Sequence, residues 1–352
     1  MTTPNSGSFG AKLPTDIVGL MQLDEKIDET VLGKQVFSIR QLSEVTGWTT
    51  EEIASIFLWS AMPRADIDDV AYTMADSAAL IKLKQAADRE TLTMDEIGTV
   101  VRSLSYAMEK LAFSEVESLV HRLSQRGLND TEARIKVAGY APKVADSSMR
   151  QIEVLWRRHL AAAIHRLTTE TILQRGVSDD AGQFPILAAV GYARIVDFSD
   201  VTANFGVSEY VQFVQDFNNR TADIVNAAGG RIIKLMGDTA VWATAKADTS
   251  CDIALKLSRL ADSGFPAEVQ IGVTWCRLVA IHGDIFGPGV HLAARLAEAA
   301  PPGEVYIDAA AAAQIKRNLA FDLAEAPPLT GKGAPTEPHY QLKAASIFAD
   351  LK

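Results

Sequence analysis

The sequence has little cysteine and a shortage of positive charge, and each shortage excludes a class of protein. Only Cys251 and Cys276 occur, far apart and without CxxC spacing. Two reduced thiols are therefore expected rather than a disulfide framework or a cysteine metal site. The formal net charge is -10, which argues against a broad surface for nucleic acid or anionic membranes. We expect no nucleic-acid partner.

Long apolar runs are also missing. No stretch stays apolar for long enough to span a bilayer, and the polar residues 1–14 lack the apolar core of a signal peptide. The expected location is therefore the cytoplasm, with no membrane partner. The chain does have 352 residues, 48% of them hydrophobic and 22% charged, which is enough for two ordinary domains with substantial cores.

The first half of the chain, residues 1–174, is predicted to be an all-helical domain. Within it, residues 37–62 have the pattern of a helix-turn-helix pair. DNA reading is disfavoured, because the second helix opens with Glu51 and Glu52, which would face phosphates. Its apolar residues suit a core instead. The two helix starts carry capping-box spacing, Ser38 with Gln41 and Thr49 with Glu52.

A long amphipathic helix is predicted at 146–173, where apolar residues recur at helical spacing. His159 and His165 lie on it, either as a pH-responsive contact or as ordinary packing or surface residues. Residues 175–183 lose apolar periodicity and are predicted to be a linker. The remaining helices of the first half are predicted at 76–87, 94–111, 114–126 and 130–137.

Residues 184–345 are predicted to form an α+β domain with a ferredoxin-like βαββαβ core and antiparallel pairing. Its most informative segment is the hairpin GGRIIKLMGDTAVW, in which β-branched and apolar residues flank a Gly237-Asp238 turn. Lys234 and Asp238 lie near that turn, where a hairpin can present a cation and a carboxylate to one pocket. Strands are predicted at 184–198, 267–274, 304–307 and, as an edge strand, 339–342; helices are predicted at 207–228, 248–260 and 289–299.

Three segments of the second half carry a family resemblance. They read GYARIVDFSDVT, GGRIIKLMGD and IHGDIFGPGVHLAARLAEAAPPGEVYI, in that order. Together they resemble the catalytic domain of the class III nucleotidyl cyclases, over residues 184–342. The helical first half is similar, more loosely, to the regulatory region of some soluble bacterial members.

The resemblance implies a reaction and a set of partners. In the family, the ribose 3'-hydroxyl attacks the α-phosphate and pyrophosphate leaves, with two divalent ions stabilising the attacking oxygen and the phosphates. The substrate would be ATP, the metal Mg or Mn if the protein is active, and the assembly a homodimer with the active site across its interface. The sequence leaves open whether the chain also binds another protein. It also leaves open whether the chain uses a metal at all.

Several positions match the family's functional residues. By resemblance, Lys234 and Asp284 read adenine, the lysine donating to a ring nitrogen and the aspartate accepting from the exocyclic amine. The resemblance also makes Asp238 the second metal-binding aspartate. Arg295 corresponds to the arginine that stabilises the transition state. The Lys234/Asp284 pair would favour ATP, because guanine presents the reverse donor and acceptor pattern.

Other positions depart from the family. Arg194 stands at the first metal-binding aspartate, His291 at an asparagine and Thr330 at a lysine that contacts the terminal phosphates. A guanidinium cannot ligate a metal, so we predict that Arg194 pairs with Asp238 in place of the ion. His291 can still donate a hydrogen bond. Asp197 or Asp200 could supply the missing carboxylate, but Asp197 only if the strand ends before it.

These matches and departures leave functions of different classes open. The first is a degenerate cyclase homologue that binds ATP or a partner as a regulatory dimer without efficient cyclisation. The second is a divergent adenylyl cyclase that makes cAMP and is gated by the helical half. The weakest is a transcription regulator built on the helix-turn-helix pattern.

Overall fold

The computed structural model describes residue 27 and residues 30–62, 65–174, 185–316, 318–329 and 338–345. The chain divides into two compact units, Met1–Ala161 and Ala162–Lys352. The predicted linker at 175–183 lies outside the described residues, so the domain boundary proposed there stays a prediction. Within the described part, no helix is both long enough and apolar enough to cross a membrane.

The first unit is built mainly from helices. A short antiparallel ribbon, β1 (Gln35–Phe37) with β2 (Tyr72–Thr73), accompanies them. The helical character predicted for this half is confirmed, and the ribbon is a small addition whose strands are too short to show a period of two. The helices are α1 (Ile39–Thr46), α2 (Thr50–Trp59), α3 (Met74–Glu90), α4 (Met94–Ser124), α5 (Asp130–Ala138) and α6 (Ala141–Gln174), the last of which continues into the second unit.

The helix pair α1 and α2 forms as the sequence predicts. Both capping boxes are present, at Ser38 and at Thr49, so backbone N–H groups at each helix start are satisfied. Gly47 adopts φ 79 at the end of α1, a conformation that a side chain disfavours. The apolar residues of α2 are buried as core: Ile53, Ile56 and Phe57.

The helix after α3 differs from its prediction. Residues 94–111 and 114–126 were expected as two helices, but α4 runs unbroken through Met94–Ser124. Ser114 resembles a helix start in sequence, yet neither glycine nor proline interrupts the segment between the two predicted helices. A serine without such a breaker is accommodated inside a helix at small cost.

The second unit is organised on a mixed sheet whose strands run in the order β4-β5-β3-β6-β8-β10-β9, with β7 paired to β6. Its first four strands have the order and antiparallel pairing of a ferredoxin-like core, as predicted. The strands are β3 (Ile186–Ile195), β4 (Arg231–Met236), β5 (Thr239–Thr244), β6 (Val269–Ile281), β7 (Asp284–Phe286), β8 (Val305–Asp308), β9 (Phe321–Glu325) and β10 (His339–Ala344).

The helices of this unit divide between the two faces of the sheet. One face packs into the main core with residues such as Phe217, Trp242 and Ile271. The other face packs with residues such as Val190, Val241 and Ala293 and carries the helix α10. The helices are α7 (Phe198–Thr202), α8 (Val207–Ala227), α9 (Ala247–Leu257), α10 (Pro288–Ala299) and α11 (Ala309–Ile315).

One strand prediction in this unit is wrong. Residues 339–342 were expected at an edge, whereas β10 lies between β8 and β9. The error arose because β9 itself gave no clear signal in the sequence. An internal position explains why His339 and Leu342 are buried.

Candidate active site

The β4–β5 hairpin turns Lys234 toward the sheet face that carries α10. The register of the two strands shifts between Ile232 and Lys234, so Ile233 is an extra, bulged residue. Ile232 then pairs with Trp242 and packs in the main core, while Lys234 pairs with Val241 on the opposite face. Regular alternation would have placed Lys234 with Ile232. The β-bulge therefore re-aims this side chain.

Lys234 forms an ion pair with Asp284 on β7. The Lys234 Nζ lies 2.6 Å from the Asp284 Oδ2, with the two side chains 38% and 24% exposed. The other carboxylate oxygen, Oδ1, accepts a hydrogen bond from the backbone N–H of Ile285 at 2.7 Å. The Nζ also lies 5.9 Å from the ring centroid of Phe286. The structure thus brings together the two side chains that the resemblance assigns to adenine.

The helix α10 presents His291 and Arg295 four residues apart, which places both on one side of the helix. His291 is exposed and Arg295 is half-buried. The helix lies close against the sheet, because a Cβ at Gly272 of β6 would come within 2.0 Å of the Ala293 carbonyl oxygen. The absence of a side chain at Gly272 thus allows α10 to pack directly against the backbone of β6.

Arg194 lies on the same sheet face as Lys234, two residues beyond Tyr192 on β3. Its neighbours across the strands are Thr239 on β5 and Gln270 on β6. Gln270 donates its side-chain amide to the Ala300 carbonyl at 2.6 Å. Arg194 is half-buried among these uncharged neighbours.

The predicted ion pair between Arg194 and Asp238 is not formed. Their backbones are close, since the N–H of Ile195 donates to the carbonyl of Asp238 at 2.8 Å. The Asp238 carboxylate, however, accepts a hydrogen bond from the Thr239 hydroxyl at 3.1 Å. Across the described ranges, no ion pair includes Arg194 or Asp238. Asp238 belongs to the turn, so register with β3 does not bring the two side chains together.

The carboxylates that could replace the missing aspartate lie beyond the strand. β3 ends at Ile195, so the condition set for Asp197 is met. Asp197 has φ 47 at the start of α7, and both it and Asp200 are exposed. Among the described residues, no group of three or more His, Cys, Asp or Glu side chains could hold a metal. A fixed guanidinium with one nearby carboxylate does not fit the two-ion site that the resemblance implies.

Thr330, at the position of the phosphate-contacting lysine, lies outside the described residues. Two contacts escaped the sequence reasoning. Thr239 holds Asp238, and Phe286 lies beside Lys234. Phe286 follows the matched Asp284 by two residues and therefore shares its side of β7, which was the signal that could have found it.

Comparison with known proteins identifies relatives along most of the chain. The adenylate cyclase of Streptomyces coelicolor is 31% identical over 281 residues, which cover 78% of this chain and 71% of that protein. The adenylate cyclase of Glutamicibacter nicotianae is 29% identical over 301 residues, covering 83% and 74%. An uncharacterized protein of Mycobacterium tuberculosis is 25% identical over 301 residues, covering 82% and 73%. No family model matches the chain.

Solved structures resemble part of the chain. The catalytic core of a rhodopsin-guanylyl cyclase with converted specificity, in complex with ATPalphaS, has a TM-score of 0.42 at 17% identity and covers 45% of this chain and 96% of its own. The adenylyl cyclase CyaB from P. aeruginosa has a TM-score of 0.38 at 19% identity and covers 45% and 94%.

Proposed function

The chain belongs to the class III nucleotidyl cyclase family, and on that premise we propose that it is a catalytically degenerate adenylyl cyclase homologue. In this proposal it binds ATP and acts as a regulatory homodimer, with little or no conversion of ATP to cAMP. The single observation that carries the proposal is a difference between two positions: Lys234 and Asp284 form an ion pair, whereas Arg194, at the metal position, has no ion-pair partner among the described residues.

The Lys234–Asp284 pair supports recognition of adenine. An ammonium group donates and a carboxylate accepts, so together they match the ring nitrogen and the exocyclic amine of adenine. The two groups are already positioned by β4 and β7, which lowers the cost of ordering them around a base. Guanine presents the reverse pattern, which would place a ring N–H against the ammonium and a carbonyl oxygen against the carboxylate.

The residues at the family's metal-binding positions, Arg194 and Asp238, support a loss of cAMP formation. In the family, bound metal ions lower the cost of charge on the attacking 3'-oxygen and on the phosphates. Arg194 carries a permanent positive charge and has no lone pair to offer a metal. Electrostatic stabilisation is commonly the largest catalytic contribution, so its loss costs orders of magnitude in rate. In the proposal, Arg295 and His291 on α10 bind phosphate oxygens without driving the reaction.

Exposed apolar side chains support the dimer. Met236 is 51% exposed and Phe286 is 46% exposed, on the strands that carry the Lys234–Asp284 pair. Exposed apolar side chains with polar ones at their rim are typical of protein interfaces. In the proposal a second copy covers this face, and the helical first half biases that arrangement.

The full chain tests the proposal directly. Purified protein is assayed for cAMP formation from ATP with Mg and with Mn, and for ATP binding by calorimetry. The proposal expects ATP binding, dimers in sedimentation and little cAMP. Robust cAMP formation that Asp238→Ala abolishes would instead establish the divergent active cyclase, which the intact Lys234–Asp284 pair also favours. Absence of ATP binding would refute both.

A further inference from the structure

Arg194 is a half-buried cation that has no ion-pair partner among the described residues. Its cross-strand neighbours, Thr239 and Gln270, are uncharged, and both side chains already bond elsewhere. No carboxylate of the described chain forms an ion pair with Arg194. A charge that is partly removed from water without a partner costs free energy. An anion from outside the chain would offset that cost.

The acidic residues near the end of β3 form no ion pair with this cation in the described part of the chain. Asp238 is held by the Thr239 hydroxyl, and Asp197 and Asp200 are exposed beyond the end of β3. The guanidinium therefore stands on the α10 face of the sheet, which also carries Lys234 and its ion pair with Asp284. In the proposed dimer, where a second copy covers this face, a ligand between the two copies meets the Lys234–Asp284 pair and an Arg194 guanidinium.

We propose that Arg194 binds the phosphates of a nucleotide directly, so that a nucleoside polyphosphate binds to this protein without a divalent metal. The inference rests on the proposed function, in which Lys234 and Asp284 hold the base. A guanidinium donates two parallel N–H bonds to a phosphate and stays charged at every physiological pH. It supplies charge neutralisation, as a metal does, but no Lewis acid for the 3'-oxygen, so binding is separated from turnover.

Calorimetry on the full-length protein tests the proposal, with ATP and adenosine as ligands, in EDTA and in Mg. Adenosine has the base without the phosphates, so it reports on Lys234 and Asp284 alone. The informative variants are Arg194→Gln, Arg194→Lys and Arg194→Asp. Arg220→Gln is the matched control, because Arg220 is a partly exposed arginine of the same unit paired with Asp216.

The wild-type protein is expected to bind ATP in EDTA within about threefold of its affinity in Mg. Arg194→Gln is expected to weaken ATP binding in EDTA by roughly tenfold to a hundredfold, the range for hydrogen bonds to a charged group. Its adenosine affinity should not change. The ATP affinity of Arg194→Lys in EDTA should lie between those of the wild type and Arg194→Gln, since lysine keeps the positive charge but loses the two parallel N–H donors of the guanidinium. Arg194→Asp should bind ATP only with Mg, and Arg220→Gln should match the wild type.

The failures of the two proposals give different results. If adenosine binds but ATP affinity is equal in wild type and Arg194→Gln, or if wild-type ATP binding requires Mg, the role of Arg194 is refuted and the base site stands. If neither ATP nor adenosine binds, the proposed function is refuted and the phosphate role with it. Circular dichroism of each variant confirms that a loss of affinity is not a loss of fold.

Discussion

Two ends of one sheet face handle charge differently. At the β4–β7 end, Lys234 and Asp284 meet at 2.6 Å, and the backbone N–H of Ile285 orders the carboxylate. At the β3–β5 end, Arg194 and Asp238 have adjacent backbones, yet no ion pair joins their side chains. In the proposed function the first end recognises the base, and the second, with Arg194 in place of a carboxylate, does not hold metal ions. The proposal thus assigns binding and turnover to different ends of one sheet face.

The largest expected effect comes from restoring the metal end. We expect Arg194→Asp, combined with His291→Asn and Thr330→Lys, to raise cAMP formation from ATP with Mn by at least about a hundredfold, because electrostatic groups of this kind contribute that much to the rate. Chromatographic measurement of cAMP checks it. Adding Asp238→Ala to the triple variant should remove the gain. Equal rates would contradict this prediction: if both are high, the metal end of the wild type is not deficient, and if both are negligible, these three positions are not what limits turnover.

The next effect comes from breaking the base end. Lys234→Ala leaves Asp284 without its cation and removes a donor to the base, so ATP affinity should fall by about tenfold or more, and preference over GTP should shrink. Calorimetry with both nucleotides measures it. Lys256→Ala is the matched control, since Lys256 pairs with Asp252 at 2.7 Å on the exposed surface of the same unit. Equal losses in both variants would contradict a base-reading role.

A smaller effect is expected where α10 meets the sheet, since both ends depend on that contact. Gly272→Ala would place a Cβ 2.0 Å from the Ala293 carbonyl oxygen and 2.6 Å from the Ala297 nitrogen. The clashing atoms are backbone atoms of α10, which cannot move aside without shifting the helix. We therefore expect the free energy of unfolding to decrease by about 1–3 kcal/mol. Urea denaturation measures it. Gly206→Ala, with no atom within 4 Å of its Cβ, should cost less than about 1 kcal/mol. Similar losses would mean that the contact relaxes.

The sequence predicted the first end better than the second. The β-branched runs around Gly237-Asp238 were enough to predict the hairpin and to single out Lys234, whereas Asp284 was identified only by the family resemblance. The bulge at Ile233 was not predictable, because alternation alone places Lys234 on the other face. β7 spans only Asp284–Phe286, which is too short for any periodicity.

The Arg194–Asp238 prediction failed for a different physical reason. Aligning the hairpin beside β3 predicts which backbone segments are neighbours, and the predicted neighbourhood of Arg194 and Asp238 is confirmed. It does not fix the direction of a side chain that leaves a turn, and Asp238 belongs to the turn. The Asp238 carboxylate instead accepts a hydrogen bond from the hydroxyl of its sequence neighbour Thr239. Local bonds of this kind are the part of a site that motif matching does not capture.

The smallest effect concerns His339, the buried first residue of β10. His339 is 3% exposed, its Nε2 has no hydrogen-bond partner, and the ring bonds the backbone of Pro327. Burial lowers the pKa of His339, which outweighs the raising effect of the Pro327 bond. Above the unfolded pKa of about 6.5, both states are neutral and stability is full.

As the pH falls below that value, the unfolded chain takes up a proton that folded His339 resists, so stability decreases until the folded pKa is reached. His339→Gln keeps a donor for Pro327 and does not titrate, so its melting temperature should fall less than that of the wild type between about pH 7.5 and 5.5. His159→Gln, on the exposed helix α6, should retain the wild-type slope. Equal slopes for all three proteins would mean that this buried imidazole does not couple protonation to the stability of the fold.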